Sequence, residues 1–300
     1  MSKKLVTVLG PTAVGKTKFA VQLANKFNGE IISADSRQVY KRMDIGTGKD
    51  LSDYFINDTK INYHLIDIVE PSDEFNLFGF TRDFNKAYDI ISENRTRPFL
   101  VGGTALYIHS ILKNYSLDRA NFNAQRIQEL EKLSDEELKS ILSSISQNLH
   151  NTTDLLERKR IINAILIAES RKDGNDYEDS KFEHLVIGIN DEKDVIKKRI
   201  TSRLKTRLSK GLIEEVKNLL NEEITHEKLK FFGLEYKFIS LHLSGELNYN
   251  DMYQKLNSAI HHFAKRQMTW FRKMEREGIK INWMKNHEID KASELVGGFF

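Results

Sequence analysis

The sequence predicts an α/β fold: a mostly parallel sheet flanked by helices, with a smaller all-helical insertion. Three observations predict it. Short apolar runs end in glycine or aspartate and lead into loops or helical patterns. A strongly charged stretch with helical periodicity interrupts the series. A further apolar run then returns to the strand pattern.

The elements follow in order. Residues 5–9 (LVTVL) read as a buried strand. Helix begins near Lys16, with Phe19, Ala20, Leu23 and Phe27 spaced for an inward face. Glu30–Ala34 reads as a second strand, ending in Asp35 and Ser36, and Phe99–Val101 as a third, ending in Gly102 and Gly103. A helix starts near Thr104. From about 121 to 172 the pattern is helical and charged: QRIQELEKL, DEELKSILSSI and ERKRIINAILIAES, followed by the polar break KDGNDYEDS. HLVIGIN (184–190) resumes the sheet. One long helix is expected from Val195 to Leu220, with Ile196, Ile200, Leu204, Leu208 and Leu212 on one stripe and Arg199, Arg203 and Arg207 beside it. A last helix covers about 251–277. The expected domains are a core of 1–120 with 184–300 and an insertion of 121–183.

Gly10-Pro11-Thr12-Ala13-Val14-Gly15-Lys16-Thr17 matches the phosphate-loop pattern, with a strand before it and a helix after it. Glycines let the backbone wrap close to phosphate oxygens, and the helix N-terminus adds a favourable dipole. Lys16 supplies a point charge. The Thr17 hydroxyl suits Mg²⁺. A fold like that of the P-loop NTPases follows. Such folds bind ligands at the carboxyl ends of their strands. Asp35 falls there, able to hold Mg²⁺ through water or to accept a proton. Its bland reading is a turn aspartate. Ser36, Arg37, Gln38 and Tyr40 stand next to it, with hydrogen-bonding and stacking capacity. Thr104 is either a helix cap, a ligand contact, or both.

Composition narrows the class. The chain has no cysteine, which excludes disulfides and cysteine-ligated zinc. The apolar start is cut short by Gly10 and Pro11, unlike a signal peptide, and no run is long enough to span a bilayer. A cytoplasmic monomer without an obligate protein partner is expected. The pI of about 8.7 permits a polyanionic partner without requiring one. His64 and His109 have no second ligand at metal spacing and are expected to be structural.

GPTAVGKT, ISADSRQVYKRMDIGTGK, YHLIDIVEP, FLVGGTALY, the RITSR helix and AKRQMTWFR occur in an order that resembles the bacterial tRNA dimethylallyltransferases, or tRNA isopentenyltransferases. The resemblance runs from residue 10 to about 272. It implies transfer of a dimethylallyl group from dimethylallyl diphosphate to N6 of adenosine 37 in tRNA, with Mg²⁺ assisting and pyrophosphate leaving. The phosphate loop, Gly10 to Thr17, would hold the donor diphosphate. Asp35 would be the general base, Thr104 would contact the substrates, and Lys16 and Arg203 would stabilise the leaving group. Thr17 and Asp35 would serve the metal. Gln38 would belong to the adenine-recognition surface, and Ser36 and Tyr40 are expected with it among the residues that contact substrate tRNA. The insertion would grip the anticodon stem-loop.

The chemistry fits these residue types. An adenine exocyclic amine is a poor nucleophile, so rate must come from placement and from charge stabilisation on pyrophosphate. The base lies in a stacked loop and must be extruded. Basic and aromatic residues of KRQMTWFRKMER suit an RNA backbone: Lys265, Arg266 and Gln267 first, then Arg272, Lys273 and Arg276 around Trp270 and Phe271. The alternative is an amphipathic core helix, and one helix can be both.

Several positions depart from the family pattern. Asp50 stands where proline is usual, Tyr63 where histidine is, and Arg207 where methionine is. Ile260 and His261 replace a Thr-Arg pair. In the insertion, Arg160 and Ala164 are kept, but Asn163 and Leu166 replace arginine and glutamate, and the segment is richer in acids than bases. The donor side is thus expected intact and the RNA side altered. Two other activities use similar parts: a free-nucleotide (adenylate) dimethylallyltransferase, and a small-molecule kinase with ATP on the loop. A non-catalytic nucleotide- or RNA-binding protein is the third alternative, disfavoured by the retained Lys16, Asp35 and Arg203.

Overall fold

A computed structural model of the chain describes residues 3–115, 124–145, 158–170 and 182–300. The elements are β1 (Lys3–Leu9), α1 (Lys16–Lys26), β2 (Gly29–Ala34), a short hairpin of β3 (Phe55–Ile56) and β4 (Thr59–Lys60), then β5 (Tyr63–His64), α2 (Leu77–Glu93), β6 (Arg97–Gly102) and α3 (Ala105–Leu112). Next come α4 (Ala124–Glu131), α5 (Asp135–Ile145) and α6 (Arg158–Ser170). The chain continues through β7 (Phe182–Ile189), α7 (Lys193–Ser209), α8 (Leu212–Asn221), α9 (His226–Phe231), α10 (Leu234–Leu243), α11 (Tyr249–Arg276), β8 (Ile281–Met284) and α12 (Ile289–Phe299).

The sheet order is β5-β2-β6-β1-β7-β8, and every pairing in it is parallel. Parallel strands need both faces covered, and the sequence supplies this by alternation. Val6 and Val8 of β1 enter one core layer with Phe19, Ala20 and Leu23 of α1. Leu5 and Leu9 point to the other face and meet Phe80 and Phe84 of α2 and Ile108 of α3. The 28-residue α11 serves both layers. Met252, Leu256, Ile260 and Ala264 belong to the first, and Phe271 and Met274 to the second. At about 42 Å it is long enough to do so. It carries residues from one layer to the strand edge and on to the other.

The chain divides into two compact units: Met1–Leu112 with Phe182–Phe300, and Lys113–Lys181. The second unit starts eight residues before the position expected from composition, because α3 already ends at Leu112. Its core joins Leu130 of α4, Leu138 and Leu142 of α5, and Ile161, Ile162, Ile165 and Leu166 of α6. Leu166, the departure at the family's glutamate, is therefore a packing residue. The KDGNDYEDS break and the side chains of Arg160 and Asn163 lie outside the described residues.

The long helix expected over Val195–Leu220 is two helices. Gly211 adopts φ 97°, a left-handed conformation that costs glycine little, and the chain turns there between α7 and α8. The inward stripe survives the break: Ile196, Ile200 and Leu204 on α7 and Leu212 on α8 are all buried. His64 pairs with buried Glu30 (Nε2 to Oε2, 2.8 Å) and His109 sits against Glu277 (2.7 Å), so both are structural. Among the described residues no helix is long and apolar enough to cross a membrane.

Candidate donor and acceptor site

β1 ends at Leu9 and the phosphate loop follows. Ala13 (φ 65°) and Gly15 (φ 85°) are both left-handed, the kind of backbone that forms anion-binding nests. α1 then starts at Lys16 with no side-chain cap and no acidic residue in its first turn. Its free N–H groups and dipole favour an anion. Lys16 Nζ donates to the Pro11 carbonyl at 2.8 Å, which folds the lysine back over the loop. Burial lowers its pKa to about 8, with Asp35 raising it and Arg203 lowering it. Two remote parts of the chain, Asp35 and Arg203, thus act on one ammonium group.

β2 delivers Asp35. Its Oδ1 accepts from the backbone N–H of Arg37 (2.9 Å) and Gln38 (3.4 Å), an Asx-type turn that fixes the carboxylate at the strand end. Oδ2 is left for other work. Thr104, at the end of the neighbouring β6, ties the two strand ends together. Its N–H donates to Ala34 O (3.1 Å), and its Oγ1 accepts from Ser36 N–H (3.0 Å). Thr104 is therefore placed beside Asp35 by one backbone bond and one bond through its hydroxyl.

The residues expected on the acceptor side divide. Ser36 stays half-buried at the edge. Gln38 donates to Gly48 O at 3.2 Å and accepts from Ser33 Oγ at 3.4 Å, so its amide braces the turn that follows rather than pointing freely outward. Tyr40 is a correction. It is fully buried, and its hydroxyl accepts from Phe75 N–H at 3.2 Å, so it cannot stack on a base. Gln267 is a second correction. It is only 6 % exposed. Its Oε1 accepts from Thr12 N–H (2.9 Å) and its Nε2 donates to Gly103 O (2.9 Å). It is a brace inside the phosphate loop and not an RNA-facing residue. Its neighbours Lys265 and Arg266 are exposed, as are Arg272 and Arg276, while Ala264, Phe271 and Met274 are buried. α11 thus has a basic outer face and an apolar inner one.

Arg203 on α7 donates Nη2 to Asp50 Oδ2 at 3.2 Å. Arg207, one turn on, pairs with Glu235 of α10 at 3.3 Å. Burial first, then Arg207, holds Arg203 below the usual arginine value, with Asp50 and Asp53 opposing. Burial pushes the Glu235 carboxyl up against the pull of Arg207. His261 lies against Thr201 Oγ1 (3.4 Å); burial, Lys197 and His262 hold it below the ordinary histidine value. It therefore supplies no charge at neutral pH in place of an arginine.

Two residues that organise this edge gave no local signal. The carboxylate of Glu215 on α8 accepts from the N–H groups of Asp44 (2.8 Å), Ile45 (2.7 Å) and Gly46 (2.9 Å), and from Tyr236 Oη (2.6 Å). Buried Lys49 donates to Tyr40 O, Asp44 Oδ1 and Asp67 Oδ1. Together they fix the 44–50 loop. Only the density of turn residues in DIGTGKD hinted that this loop needed an anchor.

An uncapped helix start, a folded-back lysine and a strand-end carboxylate at the edge of a parallel sheet define a P-loop-type α/β protein. The profile of the IPP transferase family matches residues 38–274, and that of the isopentenyl transferases residues 3–65. A tRNA dimethylallyltransferase 1 of Geotalea uraniireducens is 50 % identical over 99 % of this chain and 98 % of its own length. Another from Geotalea daltonii is 49 % identical over 98 % and 94 %. The crystal structure of the full-length tRNA isopentenylpyrophosphate transferase from Bacillus halodurans superposes with a TM-score of 0.72 at 31 % identity, covering 99 % of this chain and 96 % of that one. The chain belongs to the tRNA dimethylallyltransferase (IPP transferase) family.

Proposed function

We propose that the protein transfers the dimethylallyl group of dimethylallyl diphosphate to N6 of adenosine 37 of tRNA, releasing pyrophosphate. The observation that carries this reading is the meeting, at one sheet edge, of the phosphate loop with Lys16 folded over it and the strand ends that hold Asp35 and Thr104. Family membership supports the prenyl transfer to tRNA.

The bond from the allylic carbon to the diphosphate oxygen breaks as the bond to N6 forms. Negative charge grows on the diphosphate. The loop N–H groups, Lys16 and Arg203 meet it there. Positive charge grows on N6, and Asp35 Oδ2 takes the proton. Its pKa need not approach neutrality, since the amine becomes acidic only as the new bond forms.

Mg²⁺ fits this edge. The protein offers hard oxygen ligands, the Thr17 hydroxyl in the first turn of α1 and the Asp35 carboxylate through water. No group of three or more acidic, histidine or cysteine residues for a self-contained metal cage occurs among the described residues. Such a set suits magnesium that takes the rest of its ligands from phosphate and water. When bound it would neutralise charge on the departing pyrophosphate.

The acceptor side rests on the exposed basic face of α11, with Lys265 and Arg266, and on the helical unit Lys113–Lys181, which we assign to the anticodon stem-loop. The protein acts as a monomer in this reading. The test is location: unmodified tRNA is treated with protein, Mg²⁺ and donor, then digested and mapped. N6-dimethylallyladenosine at position 37 supports the proposal. Modification elsewhere, or none with folded protein, refutes it.

A further inference from the structure

Asp50 and Arg207 are the sequence departures that lie beside Arg203. Asp50 follows the Thr47–Gly48–Lys49 turn and accepts from Arg203 Nη2 at 3.2 Å. A Cβ built on Gly48 would lie 1.8 Å from Arg207 Nη2 and 3.4 Å from Arg203 Nη2. Both guanidinium groups therefore press on one backbone point that only glycine, at φ 69°, leaves open. Two cations so close repel, and each has one carboxylate.

The two pairs differ in enclosure. In Arg207–Glu235 the side chains are 18 % and 17 % exposed. In Arg203–Asp50 they are 40 % and 54 % exposed. The first is a fixed pair and the second an exchangeable one. A pair as open as the second contributes little, whereas a guanidinium on a phosphate makes stronger, charge-assisted bonds. Asp53, three residues on, has its carboxyl pushed up by burial, with Lys18 opposing and Asp50 adding to the rise. Asp53 is occupied with Lys18 of α1 at 3.4 Å.

We propose that Asp50 is an internal competitor for the donor: its carboxylate occupies Arg203 and must yield it to the diphosphate. This rests on the reading of Arg203 as a diphosphate residue. Asp50 weakens donor binding and, by the same exchange, speeds pyrophosphate release. An uncharged residue at 50 leaves Arg203 ready for phosphate, with Arg207 behind it as a fixed cation.

The experiment is calorimetric titration of the full chain with inorganic pyrophosphate and Mg²⁺, for wild type, Asp50→Asn and Asp50→Ala, each also in an Arg203→Gln background. The proposal predicts a Kd about three- to tenfold lower in either Asp50 variant, and no gain when Arg203 is absent. Loss of a merely structural contact does not tighten a ligand. An unchanged or higher Kd in both Asp50 variants overturns the proposal, as does an equal gain without Arg203. Failure of wild type to bind pyrophosphate at all would instead overturn the donor-site reading, and this inference with it.

Discussion

The backbone N–H of Thr12 in the phosphate loop donates to Oε1 of Gln267, 255 residues later in the chain, at 2.9 Å. The other end of the same amide donates to Gly103 O. One side chain of α11 therefore couples the loop after β1 to the loop after β6. The helix whose outer face is assigned to RNA also sets the shape of the donor cradle.

Replacing Gln267 by alanine leaves a part-buried N–H of Thr12 and a buried carbonyl of Gly103 without this partner. The expected cost is about 1–3 kcal/mol of stability. The loosened loop should raise KM for the donor about tenfold or more, since small misplacement at a phosphate cradle is costly. Thermal melting and initial-rate kinetics check both. An unchanged KM would show that the brace does not shape the cradle.

Asp35→Asn keeps the turn bonds, because the amide oxygen still accepts from Arg37 and Gln38, but it removes the base. The rate constant should fall about 10²-fold or more. Single-turnover transfer with saturating donor measures it. Near-wild-type rate would transfer the proton to another group.

Lys16 carries its charge below about pH 8 and loses it above. Donor capture, read as kcat/KM, should therefore fall as pH rises through about 8. In Lys16→Arg that limb should move beyond the alkaline end of the assay, whatever the variant's absolute rate. The folded chain also releases this proton before the unfolded chain, whose lysine titrates near 10.5. Lys16 thus costs stability below pH 8, and this cost is relieved between the two values.

Glu215→Ala leaves three backbone N–H groups and the Tyr236 hydroxyl without their acceptor. A loss of about 2–4 kcal/mol is expected, seen as a lower denaturation midpoint. A variant within about 0.5 kcal/mol of wild type would mean that the 44–46 loop keeps its shape unaided.

Charge reversal on the outer face of α11, at Lys265 and Arg266, should weaken tRNA binding and flatten its salt dependence by about one unit of slope per lost phosphate contact. Filter binding across a range of salt checks it. A parallel shift of the curve with no change of slope would remove these residues from the RNA surface.

Much of the core and the donor edge could be read from the chain because the signals are local. The strand before Gly10, the helix after Lys16 and the strand end at Asp35 each need only a few neighbours to be recognised. What the sequence hid was long-range. Tyr40 looked free to stack because nothing near it announces Phe75 or Phe232, with which its ring packs edge-on at 4.8 Å. Gln267 sits in a basic, RNA-like motif, yet its partners are Thr12 and Gly103. Glu215 is one acid among many on an amphipathic helix until the 44–46 loop folds onto it. The break at Gly211 was masked because the leucine and isoleucine stripe continues in phase across it.

The most direct test supplies radiolabelled dimethylallyl diphosphate and Mg²⁺ to purified protein, with unmodified total tRNA in one reaction and AMP or ADP in others. Label on tRNA, lost with Asp35→Asn, is the predicted result. Label on AMP or ADP alone would contradict the account and make the protein a free-nucleotide prenyltransferase.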